Sequence, residues 1–185
     1  MNEEAKLIEG CLAGKRKAQS ELYQRFAPRL YGICLRYASG RAEAEDLLQE
    51  GFIRIFSNLQ SYSGTGSFEG WMRRIIVNNS LNYIRAHVNR PLFSSIEDQD
   101  VQITEENDSV TVDAGIPVEA MLALVQQLPD GYRIIFNLYV FEDYSHKQIA
   151  EELSISENTS KTQLMRARAA LRKQLALITE KSEVK

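Results

Sequence analysis

Apolar residues recur at helical spacing along most of this chain, and the pattern predicts an all-α fold. Leu7, Ile8, Cys11 and Leu12 form a short amphipathic helix that ends near Gly14. A second pattern begins near Ala18, carries Leu22, Tyr23, Phe26, Leu30, Ile33, Cys34 and Tyr37, and stops at Gly40. Pro28 lies inside it and predicts a kink or a split. From Arg41 to Leu59, the residues Leu48, Phe52, Ile55, Phe56 and Leu59 make the buried stripe of a third helix. Phe68 to about Asn89 is apolar around much of its circumference, so this helix should be central to its domain. Further on, Val118 to Val125 reads as a helix and Leu128-Pro129-Asp130-Gly131 as a turn. Tyr132 to Tyr139 follows as another helix, with Ile135, Phe136, Leu138 and Tyr139 supplying apolar surface.

The stretch from Ser145 to Lys173 is the most explicit. Ser145 and Gln148 have capping-box spacing, which starts a short helix with Ile149, Ala150 and Leu153 on its apolar edge. Ser154-Ile155-Ser156 breaks the pattern, and Ser156 caps a second helix from Glu157 to roughly Leu175. At about 100° per residue, Leu164, Ala167 and Leu171 fall on the side of Ser160 and form the buried stripe. Lys161, Thr162, Met165, Arg166, Ala169, Arg172 and Lys173 fall on the far side, with Arg168 at its edge. Asn158 to Lys173 holds five basic residues and no acidic one. A short helix, a tight turn and a second helix with a basic outer face meet the requirements for entering a major groove. A helical hairpin with a solvated basic face is the plainer alternative.

Charge changes the picture by its distribution. The net charge is −3 over 185 residues, but residues 1–92 carry 13 basic and 9 acidic groups. Residues 93–117 carry seven acidic groups and no Lys or Arg, with weak periodicity and a closing Pro117, and read as a flexible linker. Residues 118–185 carry nine of each sign. The expected organisation is therefore two small helical domains, 1–92 and 118–185, joined by the acidic linker 93–117. Local faces set the field that a duplex feels, so a mildly acidic total does not exclude nucleic acid. No apolar run is long enough to span a bilayer, and Met-Asn-Glu-Glu does not begin a signal peptide. Cys11 and Cys34 are isolated, which favours buried thiols over a disulfide framework. A cytoplasmic location follows as the default.

Three candidate surfaces lie in the first domain. Asp46, Gln49, Glu50 and Ile53 share one face of the third helix, a mixture that suits docking on a basic protein groove, although a solvated face is the plainer reading. Ser61-Tyr62-Ser63-Gly64-Thr65-Gly66-Ser67 is a loop whose glycines resemble a phosphate-binding loop. No lysine follows and no strand precedes, so a nucleotide pocket is not expected. Trp71, Arg74, Asn78, Asn82, Arg85 and Asn89 form a stripe of stacking, amide and cationic groups suited to unpaired bases and phosphates. The competing reading of Trp71 is a core side chain. Catalytic chemistry fails on inventory: His87 and His146 lie in separate domains, the cysteines lack ligand spacing, and no carboxylate cluster adjoins a phosphate loop. No enzyme activity, metal or cofactor is expected. His146 reads as a helix-start residue near DNA phosphate, or as plain surface.

With these pieces in place, the chain resembles the extracytoplasmic-function (ECF) group of bacterial RNA polymerase sigma factors. In the first domain the resemblance rests on Glu45-Asp46-Leu47-Leu48-Gln49-Glu50-Gly51-Phe52-Ile53 and on Phe68-Glu69-Gly70-Trp71-Met72-Arg73-Arg74-Ile75-Ile76-Val77-Asn78-Asn79. In the second it rests on Leu128-Pro129, on Tyr144 to Leu153, and on Asn158 to Arg168. Both halves in this order, across a linker of this length, are far more specific than either alone. Three residues depart from the family pattern. Ser154 in the turn and Asn158 at the start of the second helix stand where glycine is usual. Ser160 replaces a usual buried valine and should loosen helix packing by about 1 kcal/mol or somewhat more.

The resemblance implies a promoter-specificity subunit that binds core RNA polymerase and helps to melt promoter DNA. Asp46, Gln49, Glu50 and Ile53 would dock on the clamp of the polymerase largest subunit, which replaces the solvated-face reading. Residues 62–68, with Tyr62, Ser63, Gly64, Ser67 and Phe68, would accept a base flipped from the minus-ten element. Trp71, Arg74, Asn78, Asn79 and Asn82 would line the melted strand. Lys161, Thr162, Met165 and Arg166 would face the minus-thirty-five element, with Arg168 and Arg172 on the backbone. The second domain would also meet the polymerase flap region, and an anti-sigma factor is an expected partner. The rival reading is a self-sufficient helix-turn-helix regulator that binds duplex DNA as a dimer, for which no heptad or exposed apolar stripe supplies an interface.

Overall fold

The structure, a computed structural model, describes residues 3–87 and 117–183. Among these residues it is helical throughout: α1 Glu3–Leu12, α2 Arg16–Tyr37, α3 Arg41–Asn58, a 3-10 turn Leu59–Ser61, α4 Phe68–His87, α5 Val118–Gln126, α6 Asp130–Val140, α7 His146–Leu153 and α8 Glu157–Glu183. The chain separates into two compact units, Met1–Ala86 and His87–Lys185. The acidic stretch 93–116 and Asn89 lie outside the described residues.

In the first unit most of the predicted stripe residues are buried, whereas Leu12 and Tyr23 are exposed and Ile8 and Phe56 half-buried. Leu22, Phe26, Leu30, Ile33, Cys34 and Tyr37 of α2 are buried, as are Leu48, Phe52 and Ile55 of α3, with Leu59 just beyond it. Helix α4 closes this core with Phe68, Met72, Ile76, Val77, Leu81 and Ile84. Its approach to α3 is close at Gly51, where a Cβ would collide with the Ile76 side chain. Glycine leaves the space that the end of the Ile76 side chain fills. Phe68 meets Phe26 edge-on, ring centroids 5.8 Å apart, and Arg29 pairs with Glu69 at 2.6 Å across α2 and α4. Pro28 does not split α2, which is continuous from Arg16 to Tyr37. Buried residues on both sides of the proline anchor the helix, so packing outweighs one lost backbone hydrogen bond.

Helix α6 is the centre of the second unit, with Ile134, Ile135 and Leu138 wholly buried. A neighbouring cluster joins Leu124, Val125 and Leu128 to Ala167 and Leu171 of α8. Asp130 and Gly131, expected in the turn, instead begin α6 after Pro129. Arg133 explains this local structure: it is 4 % exposed, donates to Gln126 O at 2.9 Å and pairs with Asp130. A buried cation is tolerated only when it is paired in this way. Helix α8 extends past the expected end at Leu175 as far as Glu183, since no glycine or proline follows to stop it. Cys11 and Cys34 are free, buried thiols. Burial, the largest cause, pushes the Cys34 thiol up to about 12 and leaves it unreactive at neutral pH.

The turn between α7 and α8 shows why glycine is usual there. Ser154 is left-handed, with φ 55° and ψ 45°, a conformation that costs a side-chain-bearing residue about 1–2 kcal/mol. Ser154→Gly should raise the stability of the second unit by up to about 1 kcal/mol after the extra flexibility of glycine is counted. Amide hydrogen exchange along α7 in the two proteins checks this.

Candidate functional site

The α3 face lies as the sequence predicts. Asp46, Gln49, Glu50 and Ile53 are all exposed, and Ile53 shows 66 % of its surface, high for an isoleucine on a helix whose other aliphatic side chains are buried. Glu50 accepts from Arg54 at 2.6 Å, an exposed pair that adds little stability. Burial, then Glu43 and Asp46, push up the pKa of the Tyr83 phenol on α4, so the negative field of this face reaches the next helix.

The glycine-rich loop is shaped by its own bonds. Gly64 and Gly66 have φ of 74° and 77°, which glycine adopts without strain. The Tyr62 hydroxyl donates to Gly66 O at 3.0 Å and ties the loop across these two residues. Ser63 and Thr65 bond to each other at 2.6 Å. Ser67 caps α4, its Oγ accepting from Gly70 N at 3.2 Å. Capping was legible in its position before Phe68, and it gives Ser67 a structural task that the sequence reading omitted.

Next to the loop, Tyr62, Phe68 and Trp71 form an aromatic cluster. Trp71 stacks on Phe68 with centroids 5.7 Å apart and planes 12° from parallel, and lies 5.5 Å from Tyr62. Phe68 is buried, so it supports the indole and does not offer a face to a base. Trp71 is half-buried, neither a wholly buried core side chain nor a fully exposed one. From it, Arg74, Asn78, Asn82 and Arg85 run along α4 as exposed residues, with Arg85 donating to Asn82 at 3.3 Å.

Asn79 corrects the predicted stripe. It is 2 % exposed, and its Nδ2 donates to Leu47 O of α3 at 3.3 Å. One residue beyond Asn78 the helix has turned by about 100°, which carries this amide into the core. The signal was in the spacing, because Asn79 does not follow the three-and-four step of Arg74, Asn78 and Asn82.

In the second unit the capping box is complete: the Ser145 hydroxyl accepts from Gln148 N, and Gln148 Oε1 accepts from Ser145 N at 2.9 Å. Ser156 caps α8 by accepting from Thr159 N at 2.9 Å. Ser160, Leu164, Ala167 and Leu171 are the buried stripe. Lys161, Ala169, Arg172 and Lys173 are exposed, and Met165, Arg166 and Arg168 are half-buried. Thr162 departs from the expected outer face, being 5 % exposed. It therefore offers little surface to a groove.

His146 opens α7, as expected, and is half-buried rather than plain surface. Its Nδ1 lies 2.9 Å from Ser160 Oγ, and its ring stacks on Tyr139 at 4.7 Å. The serine that should loosen packing thus has a hydrogen-bonding partner. Burial first, then Lys161 and Arg168, lower the His146 pKa from its ordinary 6.5, with Glu157 opposing.

Two predictions follow from these placements. Asn79→Ala should destabilise the first unit by about 1–2 kcal/mol, whereas Asn78→Ala should change it by less than about 0.5 kcal/mol; urea unfolding followed by the fluorescence of Trp71, the single tryptophan, separates them. For His146, a folded-state pKa below the unfolded one makes protonation favour the unfolded chain. Its contribution should be fully present above pH 6.5 and be lost as pH falls from there toward the lowered value. Hydrogen exchange of the second unit at stepped pH, with His146→Phe as reference, measures that loss.

Comparisons with known proteins agree with this architecture. Residues 22–90 match the family Sigma-70 region 2, and residues 119–171 match Sigma-70, region 4. The chain is 29 % identical over 182 residues to the RNA polymerase sigma-H factor of Pseudomonas aeruginosa, covering 94 % of each chain. It is 32 % identical over 182 residues to the ECF RNA polymerase sigma factor SigW of Bacillus subtilis, covering 92 % of this chain and 95 % of that one. Among solved structures, the sigma factor RpoE of Bartonella quintana, in complex with the anti-sigma factor NepR, shares the fold with a TM-score of 0.53. That match has 18 % identity and covers 85 % of this chain and 96 % of that one. The chain belongs to the extracytoplasmic-function family of RNA polymerase sigma factors, and it is a promoter-specificity subunit of RNA polymerase.

Proposed function

We propose that this sigma factor divides its work between the two units and draws on named faces of each. The first unit, placed within 1–92, docks on the clamp of the polymerase largest subunit through Asp46, Gln49, Glu50 and Ile53. Exposure of an isoleucine beside two carboxylates supports this role, since an apolar group left in water gains most from a protein partner. Trp71, Arg74, Asn78 and Asn82 then hold the melted minus-ten strand, and the loop with Tyr62, Ser63 and Gly64 takes a flipped base. Ser67, Phe68 and Asn79 serve as supports for that surface.

The second unit, placed within 118–185 after the linker 93–117, sets α8 in the major groove of the minus-thirty-five element. Lys161, Met165 and Arg166 face bases or nearby phosphates, and Arg168 and Arg172 hold the backbone. The burial of Thr162 removes it from direct readout. The same unit meets the polymerase flap region. Neither unit needs chemistry of its own: binding of the opened strand drives strand separation, and core polymerase raises the effective concentration of the second contact once the first has formed. The protein is not an enzyme in this account, works in the cytoplasm with polymerase, and is held in check by an anti-sigma factor.

The observation that carries the reading is the exposed line from half-buried Trp71 through Arg74 and Asn78 to Asn82, opposite the side of α4 that buries Met72, Ile76 and Leu81. Transcription by core polymerase from a random promoter library tests it. The protein should direct initiation from a subset of templates that core alone does not use. Arg74→Ala with Asn78→Ala should cut open-complex formation by roughly tenfold or more, as loss of hydrogen bonds to charged groups implies. Initiation no better than core alone from any template would overturn the reading.

A further inference from the structure

His146 opens α7 and Ser160 lies in the first turn of α8. The serine is wholly buried, where an unpartnered hydroxyl is costly, and its oxygen is 2.9 Å from His146 Nδ1. The other contact of the imidazole is Tyr139 of α6, with ring centroids 4.7 Å apart and planes 26° from parallel. Arg168 of α8 brings its guanidinium carbon to 5.8 Å from the centroid of that same tyrosine ring. One imidazole on α7 therefore links to both α6 and α8.

We infer that His146 and Ser160 are a positioning pair, in which a neutral imidazole held between Tyr139 and the Ser160 hydroxyl sets the rotation at which α8 meets the upstream promoter element. The inference rests on the reading of α8 as the recognition helix. Apolar packing of Leu164, Ala167 and Leu171 holds α8 against the core but is non-directional. A hydrogen bond constrains direction and distance, and a ring stack constrains the plane. Both act at the first turn of α8, and Lys161 is the very next residue after Ser160. A small rotation there displaces Lys161, Met165 and Arg166 together.

The charge around the imidazole gives the device a direction. It faces Tyr139 from α6 and Lys161, Arg168 and Glu157 from α8, so two cations oppose one carboxylate. Burial and those cations keep it neutral at physiological pH. A proton on the ring would put a second cation on the Tyr139 face beside Arg168, in a partly buried site that Lys161 also faces. Acid should therefore loosen the pair and release α8 from its set rotation.

The test uses the full chain with core polymerase on a template selected from a random promoter library by the wild-type protein. A second template has its upstream element scrambled. Open-complex formation is read at pH 7.5 and then at stepped lower pH. Ser160→Ala and His146→Phe should each lower it at least fivefold on the intact template at pH 7.5. The double variant should be no worse than the weaker single one, because coupled residues do not lose independently. All should match wild type on the scrambled template, and Ser160→Thr, which keeps the hydroxyl, should retain most activity. With the pH then lowered stepwise below 6.5, the advantage of the intact template should shrink for wild type as the imidazole protonates and stay constant for His146→Phe.

Single variants equal to wild type, losses that multiply in the double variant, or a wild-type pH profile in His146→Phe would each overturn the pair. If no template can be selected, the promoter-specific reading itself fails and takes this inference with it. Should a variant fail to fold, NMR of the wild-type chain decides. The amides of the first turn of α8 should shift in step with the His146 imidazole as pH falls, and fixed amides during that titration would overturn the proposal.

Discussion

One side of α4 is buried against α2 and α3 while the other presents Arg74, Asn78 and Asn82 to solvent. The end of the Ile76 side chain lies over Gly51, in the space a Cβ there would take. The buried half is fixed by Phe68 against Phe26 and by the Asn79 amide on Leu47 O. The exposed half inherits its geometry from these contacts. On the proposed function, a surface that holds a flexible single strand gains most when it is rigid before the strand arrives.

The second unit solves a related problem with different means. Helix α8 buries only a narrow stripe through Ser160, Leu164, Ala167 and Leu171. Helix α6, buried around most of its surface, and the cluster of Leu124, Val125 and Leu128 supply the wall for that stripe. Capping boxes and single caps satisfy the helix starts at α7 and α8 without large side chains. The contact between His146 and Ser160 then adds direction to an otherwise slippery interface.

Much of this was legible from residue spacing. Three-and-four spacing identified the buried stripes of α2, α3 and α8, and Ser145 with Gln148 announced the start of α7. The α3 face of Asp46, Gln49, Glu50 and Ile53 was readable because these residues stand at i, i+3, i+4 and i+7. Other features depended on partners far along the chain. Nothing near Asn79 reveals that it meets Leu47, and nothing near His146 reveals Ser160 fourteen residues on. Pro28 did not split its helix, because burial on both sides of it outweighed a local penalty. Thr162 shows that angular position alone does not decide exposure.

The central claim is that two surfaces, one on α4 and one on α8, meet different promoter elements only when polymerase holds both units. Site-specific photo-crosslinking tests it most directly, with a photoreactive residue placed at Asn82 in one protein and at Lys161 in another. With core polymerase on a selected promoter, the first should attach to the non-template strand at the minus-ten element and the second to the minus-thirty-five element. Without core, both signals should fall steeply. Equal crosslinking of the free chain to duplex DNA, or attachment of both probes to the same element, would contradict the account.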